Sequence, residues 1–89
     1  MQIIITHNDT EIVIPMREPT FEEMSAAFMA LTRVKGSTDI AGAGRVLLKA
    51  CADYSKTPDA VWKNPKLEFS AALKASELIE IYEGELKKN

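Results

Sequence analysis

One cysteine and one histidine make up the whole supply of the side chains that most often carry nucleophilic or metal chemistry. A lone Cys51 closes no internal disulfide, and one Cys with one His falls short of the four ligands of an ordinary structural zinc site. His7 lies in a turn-forming stretch far along the chain from Cys51, so the residues indicate no base–nucleophile pair. Asp9 and Glu11 beside it are explained by exposed turn chemistry. There is no twelve-residue calcium loop, and Gly42-Ala43-Gly44 lacks both the glycine spacing and the lysine of a phosphate loop. We therefore expect no catalytic residue, no metal ligand and no cofactor.

An excess of basic charge is also missing. The first 45 residues hold four basic and six acidic side chains, and the remaining 44 hold seven of each. Neither half offers the cationic surface that phosphate binding needs, so a nucleic-acid partner is not expected. No apolar run approaches the ~18 residues of a membrane span. The first residues alternate instead of forming a basic leader with an apolar core, so a cytoplasmic location without membrane contact is expected. Cys51 fits that setting as a small buried hydrophobe in the run Val46-Leu47-Leu48-Lys49-Ala50-Cys51-Ala52.

What the chain does have is clear alternation followed by helical periodicity. Its 89 residues, 46% hydrophobic, predict one domain, 1–89, of the α+β class: a hairpin over 2–15 and a helical part over 20–87, in three to four helices. The runs Gln2–Thr6 and Glu11–Pro15 are β-branched and flank His7-Asn8-Asp9-Thr10, where Asn8 and Asp9 tolerate left-handed dihedrals. Ile3, Ile5, Ile12 and Ile14 share one face; Ile4 and Val13 share the other. The hairpin is therefore apolar on both sides, and one layer of helices covers only one of them.

Thr20 and Glu23 have the spacing of a capping box, with Glu22 and Glu23 placed favourably for the helix dipole. The first helix is expected to reach about Val34, with Phe21, Met24, Ala27, Phe28 and Leu31 on one face. Gly36 closes it or begins the loop after it, and Ser37 or Asp39 caps a second helix over about Ile40–Tyr54. Gly42 and Gly44 each weaken that helix by about 1 kcal/mol against alanine. Either another helix approaches closely there or the first turn is loose. Thr57 is expected to cap a short helix or turn, with Pro58 at its first position and Val61 and Trp62 facing inward. Asn64 and Pro65 repeat the cap-then-proline device ahead of a last helix over about Lys66–Lys87.

Several side chains are candidates for binding a protein partner. Phe28 and Met29 offer an adaptable apolar surface. Trp62 serves as a core lid or an interface anchor. Ile81 lies off the centre of the last helix's apolar band. Glu77, Glu80 and Glu83 stand three apart as a solvated or partner-facing acidic stripe.

The order strand, turn, strand, then Arg17-Glu18-Pro19-Thr20 opening a helix at Phe21-Glu22-Glu23-Met24, resembles the small tail assembly chaperones of long-tailed bacteriophages and prophages. The likeness covers about residues 2–31; Met16 stands where that pattern usually has leucine. The resemblance implies transient binding to a long helical tape-measure protein, self-association around it, help in tail assembly and no catalytic residues. A structural or adaptor subunit of another complex fits the same elements. A small regulatory or nucleic-acid-associated protein fits the charge less well.

The capping box yields a direct test. Thr20→Ala is expected to lower stability by roughly 0.5–2 kcal/mol in denaturant melts; an unchanged midpoint would place the helix start elsewhere.

Overall fold

The computed structural model describes residues 1–32 and 38–88. It shows an N-terminal antiparallel hairpin followed by helices: β1 (Gln2–His7), β2 (Thr10–Pro15), α1 (Phe21–Thr32), α2 (Ile40–Cys51), α3 (Asp59–Lys63) and α4 (Pro65–Ala75), with a single 3-10 turn at Ser76–Leu78. Among the described residues no helix is long and apolar enough to cross a membrane.

The hairpin follows from its turn. Asn8 and Asp9 have φ of 51° and 60°, so a two-residue left-handed turn joins the strands. That turn sets the register, with Ile3 opposite Ile14, Ile4 opposite Val13 and Ile5 opposite Ile12. Ile3 and Ile14 are buried, and Ile5 and Ile12 pack partly against the core. Ile4 is 47% exposed on the opposite side, so the two-faced apolar hairpin expected from the alternation is present.

Beyond Pro15 the extended chain is gripped on both sides. The Met16 N–H donates to the Met1 carbonyl at 2.8 Å. On the other side, the Arg17 N–H donates to the Cys51 carbonyl at 3.0 Å and the Asp53 N–H to the Pro15 carbonyl at 2.9 Å. Ala52 thus bridges Met16 in strand fashion. This bridge ends α2 at Cys51, three residues before the expected Tyr54, because the Ala52 backbone is extended and the Asp53 N–H is committed to the Pro15 carbonyl.

Helix α2 is the centre of the helical part. It packs against α1 on one side and α4 on the other, while β1 rests on α4. Leu47 and Leu48 are fully buried, together with Ile14 and Val61; each such side chain contributes roughly 1.5–3 kcal/mol of burial. Small residues, Ala43, Gly44, Ala71, Ala72 and Ala75, fill the α2–α4 contact and let the backbones approach. Of the two roles open to Gly44, close approach is the one observed. A Cβ there would run into the Ala72 carbonyl oxygen and lie 2.7 Å from its carbon. At Gly42 a Cβ would instead meet the Asp39 carboxylate, whose Oδ1 accepts from the Gly42 N–H at 2.8 Å as the N-cap of α2. The expected helix end at Val34, the Gly36 stop and the alternative Ser37 cap lie outside the described residues.

Two expectations are corrected. Thr57 does not cap α3: its buried hydroxyl donates to the Asp53 carbonyl at 2.7 Å, closing the turn after α2, and Pro58 takes the cap position. The last helix does not reach Lys87. It starts at Pro65 with Asn64 Oδ1 accepting from the Lys66 N–H at 3.0 Å, as expected, but ends at Ala75. The Ser76 hydroxyl turns back to the Leu73 carbonyl, one 3-10 turn follows, and Ile79 is extended. The physical reason lies in the charges and the packing. Glu77, Glu80, Glu83 and Glu85 would crowd the negative end of the helix dipole, and Gly84 would weaken the same turns. Beyond Ile79, Ile81, Tyr82 and Leu86 are 80–85% exposed, so no core supports continuation.

Gly44→Ala is expected to destabilise the fold by about 1–3 kcal/mol, because overpacking against backbone outweighs the gain in helix propensity. A denaturant melt matching wild type would show that α2 and α4 separate without cost.

Candidate protein-binding surface

The β2–α1 corner is held by one arginine. Arg17 donates from Nη1 and Nη2 to the Glu23 carboxylate at 2.7 and 2.6 Å, a bidentate pair. Nη2 also donates to the Ala50 carbonyl at 2.8 Å in the last turn of α2. The capping box closes the other side: Glu23 Oε1 accepts from the Thr20 N–H at 2.9 Å, and the Glu23 N–H donates to Thr20 Oγ1 at 3.2 Å. Thr20 and Glu23 therefore take their expected roles. Arg17 stood in the sequence only as part of a motif; the signal that marks it is a cation six residues ahead of a cap glutamate, across Pro19.

These contacts pull the Glu23 carboxyl down to about 2, mainly through Arg17 and then through the Thr20 N–H. Arg17 is held still more firmly protonated, chiefly by Glu23. Cys51 sits behind the pair, its thiol 3.8 Å from Glu23 Oε1. Burial pushes the thiol's pKa up, and the neighbouring Glu23 charge adds to the shift. This favours the neutral thiol, the less reactive form. His7 lies at the hairpin tip, 3.3 Å from the Asn8 side-chain amide, and its contact does not involve Cys51.

Anchored at that corner, α1 packs on α2 alone among the described elements. Its apolar face is split as a result. Ala27 is buried, and Met24 and Leu31 are half-buried against the core. Phe21 and Phe28, which the periodicity grouped with them, are 83% and 48% exposed. Met29 is 68% exposed on the adjoining side. A helix held by one neighbour buries a narrower stripe than its sequence offers. Phe21 was not among the candidate partner-binding residues; its place two turns before Phe28 puts it on the same face.

The remaining candidates do not join this surface. Trp62 is half-buried on α3, stacked on Tyr54 with ring centroids 4.9 Å apart and planes at 25°. Tyr54 in turn donates its hydroxyl to the Lys49 carbonyl at 2.6 Å, so the aromatic pair closes the end of α2. Glu77 lies in the 3-10 turn, 3.5 Å from Lys74 Nζ. Glu80, Ile81 and Glu83 follow it outside any helix or strand, so the expected acidic helix stripe does not form. Exposed Phe69 instead flanks a groove of about 280 Å³ between α2 and α4, where Arg45 and Glu68 pair at 3.1 Å. Among the described residues no cluster of three or more His, Cys, Asp or Glu is arranged to hold a metal.

No family model, no curated protein and no solved structure matches the chain.

The Glu23 shift has a definite sign in stability. A carboxyl whose folded pKa is depressed stabilises fully above its ordinary value of 4.5 and loses that contribution as pH falls towards about 2. Asp53, also lowered, by its Ser55 hydrogen bonds, acts in the same direction in both proteins. Between pH 4.5 and 2, wild-type stability should therefore fall more steeply than that of Glu23→Gln in parallel denaturant melts. Parallel slopes would show that the Arg17 pair does not persist in solution.

Proposed function

We propose that this chain is a non-catalytic protein-binding domain acting as a tail assembly chaperone, which holds a long helical polypeptide of the tape-measure kind on the exposed face of α1. The observation that carries the reading is the Phe21, Phe28 and Met29 surface, on a helix pinned at its N-terminus and backed, among the described elements, by α2 alone. Two rings and a thioether along one helix face suit an amphipathic helical partner, which supplies aliphatic anchors at matching intervals. The corner Arg17-Glu18-Pro19-Thr20, on which the resemblance to tail chaperones rests, is the element that fixes the angle of this face. Transient holding suits such a surface: few buried contacts have to be broken on release.

In the full chain, Phe28→Asp combined with Met29→Asp is expected to weaken binding to a purified tape-measure protein by at least roughly tenfold, about 1.4 kcal/mol. Both side chains are exposed, so the thermal melt should stay near that of wild type. Binding unchanged by the double substitution would remove α1 as the docking face. Failure of the wild-type chain to bind any tape-measure protein found in its own genomic neighbourhood would remove the chaperone reading.

A further inference from the structure

Helix α1 differs from the other helices in where its charges lie. The exposed positions of α2 and α4 carry Arg45, Lys49, Lys66 and Lys74. On α1 every charge lies at the start: Glu22 and Glu23 stand in the first turn, and Glu18 comes just ahead of it. From Met24 to Thr32 there is no charged residue, although Ser25, Ala26, Phe28, Met29 and Thr32 are exposed. Thr32 adds little polarity, because its hydroxyl donates to the Phe28 and Met29 carbonyls of its own helix at 3.3 Å. A helix face left to water usually carries charged and polar groups along its length.

The acidic end of this face is uncompensated. The Arg17 cation is spent on Glu23, and the Glu23 carboxylate on Arg17 and the Thr20 N–H. Glu18 and Glu22 are exposed, and among the described residues neither carboxylate forms an ion pair. The apolar face therefore begins, at Phe21, beside negative charge and continues with none.

We propose that the segment docked on α1 is an amphipathic helix running antiparallel to it, with aliphatic side chains over Ser25, Phe28 and Met29 and with lysine or arginine in its last turn against Glu18 and Glu22. This rests on α1 being the docking face, and it names the chemistry and direction of what docks there. The cations belong at one end of the partner, since from Met24 to Thr32 α1 offers no charge to pair with. The direction follows from the dipole. Cations stabilise a helix in its last turn and destabilise it in its first. In the antiparallel arrangement the partner's last turn lies against the acidic end of α1, so the same cations serve both helices. Ser25 sits one turn from Phe21 on one side and from Phe28 and Met29 on the other, and this small residue leaves a gap that one leucine or isoleucine of the partner fills.

The test uses the full chain and two designed helical peptides of one composition. Both have blocked ends and leucines at helical spacing; one carries two lysines in its last turn, the other in its first. The peptides also differ in their own helicity. Each is therefore titrated against wild type and against Glu18→Gln combined with Glu22→Gln, and the ratio of the two affinities is compared between the proteins. At low salt, wild type should favour the last-turn peptide at least roughly threefold more than the variant does, the size expected of two exposed charge pairs. The difference should shrink as salt rises. Circular dichroism should show the variant folded as wild type. Equal ratios on the two proteins overturn the proposal; if Phe28→Asp with Met29→Asp still weakens binding of both peptides, α1 remains the docking face. Failure of both peptides to bind wild type also overturns it, and binding of the tape-measure protein then decides separately whether α1 is a docking face.

Discussion

Arg17 reaches three parts of the chain at once. Its guanidinium clamps Glu23 in the first turn of α1, takes the Ala50 carbonyl at the end of α2, and is carried on backbone whose N–H bonds to Cys51. Strand, first helix and second helix therefore meet at one cation. The ion pair is partly exposed, so its charge attraction is screened and is not what makes it important. Its effect is geometric: a planar donor fork fixes the orientation of the carboxylate, and that carboxylate also completes the capping box. The angle of α1 follows from this corner, and so does the direction in which Phe21, Phe28 and Met29 face.

The rest of the core is built by close approach more than by bulk. Only a few large side chains are fully buried, and alanines with Gly44 fill the seam between α2 and α4. Such a seam brings two backbones together and gives a small chain a rigid centre, but buries limited apolar area per residue. Larger apolar groups are left at the margins: on α1, on the outer side of the hairpin, on α4 and along 79–88. The core fixes the scaffold, and the apolar surface left over is what a partner or another copy would use.

Helix α4 shows how a pattern and a structure part company. Leu67, Ala71, Leu78 and Tyr82 keep helical spacing, and the period alone carries the helix on to Lys87. Spacing tells which residues would share a face but not whether anything lies opposite that face. Past Ile79 the apolar side chains Ile81, Tyr82 and Leu86 are exposed, and the acidic run works against the dipole. The residues expected to form a charged helix stripe instead fall in the 3-10 turn and in the chain after it, outside any helix.

The elements legible in the sequence are those whose partners lie within a few residues. Asn8 and Asp9 determine a left-handed turn, and the turn determines the register of every isoleucine pair in the hairpin. Thr20 with Glu23, Asp39 with Gly42, and Asn64 with Pro65 determine where three helices begin, because each cap bonds to backbone two or three residues away. The features that only the tertiary structure decided depend on contacts distant in sequence. Arg17 found Ala50, Gly44 made room for Ala72, Met16 met Ala52, and Phe21 and Phe28 stayed outside because α1 has a single neighbour among the described elements. Local hydrogen bonding reports where an element starts; which faces are covered depends on where the other elements come to rest.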